Sequence, residues 1–267
     1  MPVHDDLGLR MKENYEQISQ TKLLRRTPVA IRLDGKAFHT FTRGLDKPFD
    51  EILTSTMQET MQKLCENIQG CVFGYTQSDE ITLILQDYKK LETAAWFDYK
   101  VQKVCSIAAS MATLYFNKIF SQKVEDYLDA IFVLQDHDCM KEEKEYVLCL
   151  SRKVEKGALF DARCFNIPKE EVTNLLYWRQ LDAIRNSTQM IGQYYFSQKE
   201  LQNKSCKQII EMLRESKDVE LFDYPTRNLM GVCCFKELDT WFLDYEIPRF
   251  NEDRDYIEKH INCEEEC

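Results

Sequence analysis

Asp34 closes the apolar run PVAIRL at residues 28–33 and precedes Gly35. Asp79 and Glu80 follow Ser78 between two further apolar runs, CVFGYT at 71–76 and ITLIL at 81–85. If these three runs become neighbouring strands, the carboxylates meet at one end of a sheet. Carboxylates so gathered make a hard anionic site suited to Mg²⁺. Two such ions can hold a triphosphate, activate an attacking hydroxyl and stabilise a leaving pyrophosphate. Gly35 lets the backbone come close and offer its carbonyl as a further ligand. A triphosphate also needs cations, and Lys47, Lys100 and Lys103 are the candidates. The plain reading stands beside this one. An Asp-Gly pair is commonly just a turn and a Ser-Asp-Glu corner is commonly just solvated, so only their conjunction argues for a site. Lys100 and Lys103 alone read as a solvated helix face, His39 as a base contact or a surface residue, and Tyr194-Tyr195-Phe196 as core.

The elements that must position these residues follow from pattern. Residues 28–33 read as a buried strand that ends at the Asp34-Gly35 turn signal. Residues 50–69 read as a helix, with Ile52, Leu53, Met57, Met61 and Leu64 near helical spacing and Gly70 as its stop. Residues 71–85 read as a hairpin turning at Ser78-Asp79-Glu80. A long helix is expected from about Glu92 to Phe120, a strand over 158–167, and helices over 169–196 and 205–215. Strand, helix, strand, strand, helix, strand is the split βαβ, or ferredoxin-like, order, an α+β fold with helices on one face of an antiparallel sheet. Residues 121–156 interrupt it and read as an insertion, with possible extra strands at 129–135 and 146–150 and a charged tip, KEEKE, at 141–145. The chain then divides into a core over 28–167 and a mostly helical extension over 168–267.

The chain has 267 residues, and its 35 Lys plus Arg against 45 Asp plus Glu give a net charge of −10. That weighs mildly against nucleic-acid binding unless basic patches are local. The 11 cysteines show no paired CxxC spacing, so zinc is not expected and a reducing, cytoplasmic setting fits best. The first ten residues hold no apolar run resembling a secretory signal, and no segment has the ~20 apolar residues a membrane span needs. The acidic run Glu264 to Glu266 reads as disordered.

The motifs in sequence order resemble a known family. IRLDGKAFHTFTRGLDKPFDE (31–51), FGYTQSDEITLIL (73–85), FDAR (160–163), WRQ-x-D (178–182) and YPTRNLMGV (224–232) are similar to successive motifs of the tRNA(His) guanylyltransferases and their 3′–5′ polymerase-like relatives. The resemblance implies a polymerase-palm-type fold that adds nucleotides to the 5′ end of tRNA after ATP or GTP activates that end. It implies two Mg²⁺ on Asp34, the Gly35 carbonyl and Asp79, with Glu80 in support. It places Lys36, Ala37, Phe38, His39, Lys47, Ser78, Lys100 and Lys103 against nucleotides, and Arg32, Arg163, Arg179, Arg185 and Asn186 against tRNA. It further implies a homotetramer. Enzymes dedicated to histidine tRNA carry His-Ile-Asn-Asn after WRQ-x-D, whereas this chain has Ile184-Arg185-Asn186-Ser187. That departure favours the branch that repairs truncated 5′ ends by templated addition. Addition of one G to tRNA(His) is the alternative. A palm-type nucleotide cyclase is disfavoured because its GG-D/E-EF hairpin is absent. A non-catalytic RNA-binding module would stack bases on Phe73 and Tyr75.

Overall fold

The computed structural model describes residues 6–134 and 141–262. One antiparallel sheet contains β1 (Val29–Gly35), β2 (Cys71–Gln77), β3 (Glu80–Leu85), β4 (Phe160–Asn166), β5 (Val232–Glu237) and β6 (Thr240–Asp244), in the order β4-β1-β3-β2-β5-β6. The helices are α1 (Asp6–Met11), α2 (Phe38–Phe41), α3 (Glu51–Asn67), α4 (Val101–Leu134), α5 (Lys141–Lys156), α6 (Val172–Tyr195), α7 (Gln198–Leu201), α8 (Cys206–Lys217), α9 (Thr226–Met230) and α10 (Asp255–Ile261). The first four strands with α3 and α4 have the expected ferredoxin-like order.

β3 is buried at every position because both faces of the sheet are covered, which is why ITLIL does not alternate. Val29, Ile31, Leu33, Ile81, Leu83 and Leu85 face α3 and α4, whereas Ala30, Phe73, Tyr75 and Ile84 pack in a second core with α6 and α10. The C-terminal extension thus covers the face that the ferredoxin-like core leaves open. Asp50 caps α3, accepting the Leu53 N–H at 2.8 Å. Along α4, Val104, Ala108, Ala112, Phe116, Phe120 and Val124 are all buried at a spacing of four. The alanines let the helix approach β4, and Phe116 and Phe120 fill the space under Phe38 and Phe41.

Several sequence expectations change. α4 begins at Val101 rather than near Glu92, because Phe97, Asp98 and Tyr99 adopt positive φ in the turn before it. Segments 129–134 and 146–150 are helical, not strands (residue 135 lies outside the described residues): α4 continues to Leu134 and α5 packs beside it, Tyr127 against Tyr146 at 5.6 Å. KEEKE opens α5 instead of forming a loop tip. The mostly helical extension also supplies β5 and β6, joined by a tight turn in which Leu238 and Asp239 both have positive φ. Neither residue is Gly or Asn, so no hairpin signal marks it. Phe73 and Tyr75 lie on one face as expected, but they are buried beneath Phe235 and Phe250 and unavailable for base stacking. The acidic run 264–266 lies outside the described residues.

Candidate active site

Strand register brings the two aspartates together. Asp34 lies opposite Glu80 on β3 and Asp161 on β4. Asp79 occupies the turn between β2 and β3, beside Ser78, whose φ is 50°. The Gly35 N–H donates to the Asp79 carbonyl at 3.1 Å and fixes the turn against the end of β1. A Cβ on Gly35 would overlap the Phe38 ring, with its closest atom at 2.2 Å, so the strand ends on a residue that must lack a side chain. Asp34, Gly35, Ser78 and Asp79 open on a cavity of about 760 Å³. Its other walls are the 37–50 loop, α3, α6 and the segment 227–232.

Burial, and then the nearby Asp34 charge, raise the Asp79 pKa above its usual value. The Ser78 hydroxyl donates to Asp79 at 3.1 Å. Among the described residues no Lys or Arg pairs with Asp34 or Asp79, and no cluster of three or more acidic, Cys or His side chains converges. A carboxylate pair short of positive charge, with a backbone carbonyl beside it, fits Mg²⁺, which takes one or two carboxylates and completes its shell with water and phosphate oxygens.

Glu80 does not join the pair. Its carboxylate accepts from Arg32 at 3.0 Å and Arg179 at 2.7 Å. Arg179 also donates to Asp182 at 2.6 Å. The side chains of Glu80 and Arg179 are each only 6% exposed, so this is a buried structural network, tying β1 and β3 to α6. Trp178 stacks on Arg179 at 4.3 Å and Arg32 at 5.4 Å. Arg32 and Arg179, both expected against tRNA, thus hold this network, and neither lines the cavity. Arg163 and Arg185 are exposed, and among the described residues they pair with Asp161 and Asp182.

Of the expected nucleotide contacts, Ala37, His39, Lys47 and Ser78 line the cavity, as does Asn186 from the expected tRNA set. Ala37 has φ 55° and caps α2. Phe38 also lines the cavity, and its ring packs against Phe41, Phe116 and Phe160. Lys36 is exposed and off the cavity wall. Lys100 and Lys103 lie at the far end of the sheet. α4 starts beside Cys164, whose thiol donates to the Val101 carbonyl, and reaches Phe160, at the carboxylate end of β4, only near Thr113. Cys164 lies three residues along β4 from Asp161, roughly 10 Å at ~3.4 Å per residue, and neither lysine lines the cavity. Lys103 sits over the Phe97 ring and Lys100 bridges to Lys22.

Sequence reasoning missed Arg43 and Arg227, the other cations on the cavity wall. Arg227 lies in YPTRNLMGV, the segment singled out for enclosing the nucleotide, and pairs with Glu51 at 3.1 Å. Gly231, with φ 91°, lets this segment close on β2, where a Cβ would come within 2.5 Å of the Thr76 carbonyl.

A palm-like sheet that sets a carboxylate pair under a cavity walled by Arg43, Lys47 and Arg227 defines a nucleotidyltransferase. Residues 9–168 match the family described as tRNAHis guanylyltransferase, Thg1. A bacterial tRNA(His) guanylyltransferase (Thg1)-like protein in complex with ATP is 36% identical with a TM-score of 0.81, covering 96% of this chain and 99% of that one. A structure of a bacterial Thg1-like protein with GTP gives 33% identity and a TM-score of 0.72, covering 96% and 99%. An uncharacterised protein of Acanthamoeba polyphaga mimivirus is 28% identical over 250 residues, 88% of this chain and 79% of that protein. The chain belongs to the Thg1 family. Among the described residues no helix is long and apolar enough to cross a membrane.

Proposed function

We propose that this chain repairs the 5′ ends of tRNAs by templated nucleotide addition in the 3′–5′ direction. The carrying observation is the cavity wall on α6, where Asn186 and Ser187 stand in Ile-Arg-Asn-Ser rather than in the His-Ile-Asn-Asn of the histidine-tRNA enzymes. The likeness to bacterial Thg1-like proteins bound to ATP and GTP supports the same branch and both nucleotides.

The reaction has two displacements. An oxygen of the tRNA 5′-monophosphate attacks the α-phosphorus of ATP, and pyrophosphate leaves. The 3′-hydroxyl of an incoming nucleoside triphosphate then attacks the activated 5′-phosphorus, losing its proton as AMP leaves. Asp34, the Gly35 carbonyl and Asp79 would hold two Mg²⁺. When bound, these ions supply charge neutralisation at the phosphates and acidify the attacking hydroxyl. Arg43, Lys47 and Arg227 place positive charge on the cavity wall, and His39 and Ala37 offer edges to a base. At about 760 Å³ the cavity falls within the usual range for ligand sites. We place the protein in the cytoplasm as a homotetramer, in which tRNA contacts more than one subunit. The alternative is addition of a single G at position −1 of tRNA(His).

Incubation with 5′-truncated, 5′-labelled tRNA, Mg²⁺ and each nucleotide separates the two. Extension that follows the base on the opposite strand is expected. Addition of one G to tRNA(His) alone, whatever the opposing base, would overturn the repair reading.

A further inference from the structure

α5 adds no strand to the sheet, yet it grips the loop that walls the cavity. We propose that α5 is a clamp on the nucleotide loop, and that Lys153 is the positioning residue that sets Arg43 and Lys47 toward a triphosphate. The proposal rests on the reading that the cavity binds a nucleoside triphosphate.

Tyr146, Cys149 and Lys153 follow one another at helical spacings of three and four and so share one face of α5. All three touch the 41–50 segment. The Tyr146 hydroxyl donates to Asp50 Oδ2 at 2.7 Å. That same oxygen accepts the Asp46 N–H at 3.1 Å. The Cys149 thiol donates to the Arg43 carbonyl at 3.6 Å. Gly44, with φ 86°, presses so close that a Cβ would meet Cys149 Sγ at 2.9 Å. Lys153 is 8% exposed, and its Nζ donates to the Phe41 carbonyl and, at 2.9 Å, to the Arg43 carbonyl. Its remaining side faces the Phe41 ring at 5.3 Å. Among the described residues no carboxylate pairs with it. A buried ammonium held only by carbonyls and a ring is costly unless every contact is kept. The cation therefore pins both carbonyls, and with them the residues that follow. Because no carboxylate cancels it, its charge also stands behind a loop whose Arg43 and Lys47 face the cavity.

The test measures ATP affinity of the full-length protein by titration, beside the KM values for nucleotide and for tRNA and the melting temperature. Lys153→Met is expected to weaken ATP binding about tenfold, roughly 1.4 kcal/mol, with the tRNA KM nearly unchanged. Lys153→Arg, which can donate to both carbonyls, should restore most of it. Tyr146→Phe, which keeps the ring against Tyr127 and loses only the bond to Asp50, should cost about threefold. A folded Lys153→Met with wild-type ATP affinity overturns the proposal. So does a loss spread evenly over ATP, tRNA and stability with no rescue by Arg. If Lys153→Met does not fold, Tyr146→Phe decides alone, and unchanged ATP affinity sinks the clamp. Wild-type protein that binds no ATP overturns the functional reading itself, a result distinct from all of these.

Discussion

At the scale of single residues, Asp79 and Glu80 are adjacent in the chain and opposite in role. Asp79 carries charge in a half-buried place next to another carboxylate, and both burial and Asp34 disfavour that charge. Asp79→Asn should therefore abolish nucleotide addition, by about a thousandfold or more given the charge it is asked to neutralise. In metal-free buffer the same variant should melt no lower than wild type, and up to a few degrees higher, because it removes a repulsion. A thermal melt beside an addition assay checks both halves, and retained addition sinks the assignment. Glu80→Gln should do the reverse in stability. It leaves the buried Arg179 and the half-buried Arg32 without their shared carboxylate, a loss of about 3–5 kcal/mol readable as a lower urea midpoint. Neither role is visible in Ser-Asp-Glu itself. The turn and the carboxylates are legible locally, but Arg179 lies 99 residues beyond Glu80, and only the packing of α6 on the sheet joins them.

At the scale of elements, the βαββαβ core was legible because each piece carries a local signal: a β-branched run, apolar residues at helical spacing, a hairpin corner. The ends of α4 were not, because Phe97 to Tyr99 carry positive φ that no residue type there announces, and the helix direction then sends Lys100 and Lys103 to the far end of the sheet. The β5–β6 hairpin escaped for the same kind of reason, turning on Leu238-Asp239. Its entry is set by Gly231. Gly231→Ala puts a Cβ within 2.5 Å of the Thr76 carbonyl at a φ that disfavours any side chain, so a loss above about 2 kcal/mol is expected. Nucleotide affinity should fall with it as α9 and Arg227 shift, and a variant with wild-type stability would contradict this placement. α10 offers a pH test. Burial, and then Lys259, hold the His260 imidazole down to about 4, where it packs on Phe73 and Phe235. The unfolded group titrates near ~6.5. The folded state thus favours neutral His260, so this contribution is full above that pH and is lost as pH falls through about 4. Discounted for partial exposure, it amounts to about 1–2 kcal/mol. Urea midpoints of wild type and His260→Phe should diverge over that window and stay parallel above pH 7; parallel curves throughout would refute the assignment.

At the scale of the whole molecule, a chain of net charge −10 has to hold a polyanion. Long-range attraction cannot do this, since the average field is repulsive. Binding must come from few local contacts, and several of the arginines that the sequence offers for it are already committed. Arg32 and Arg179 serve Glu80, while Arg163 and Arg185 stay exposed on one face of the sheet and α6. Each phosphate neutralised steepens the salt dependence of log affinity by about 0.9 at the charge spacing of a B-form duplex and by about 0.7 for single strands. A protomer with a handful of free cations should then show a slope of roughly −2 to −4 in a plot of log affinity against log salt. If tRNA lies across subunits of a tetramer, affinity should also fall on dilution of the protein below its assembly range, while ATP binding, confined to one cavity, should not. Filter binding of tRNA at several salt and protein concentrations, with sedimentation at the same concentrations, reads both dependences. A slope near zero would leave no electrostatic basis for RNA binding. Affinity that is indifferent to dilution through the dissociation of the oligomer would place the whole tRNA site within one chain.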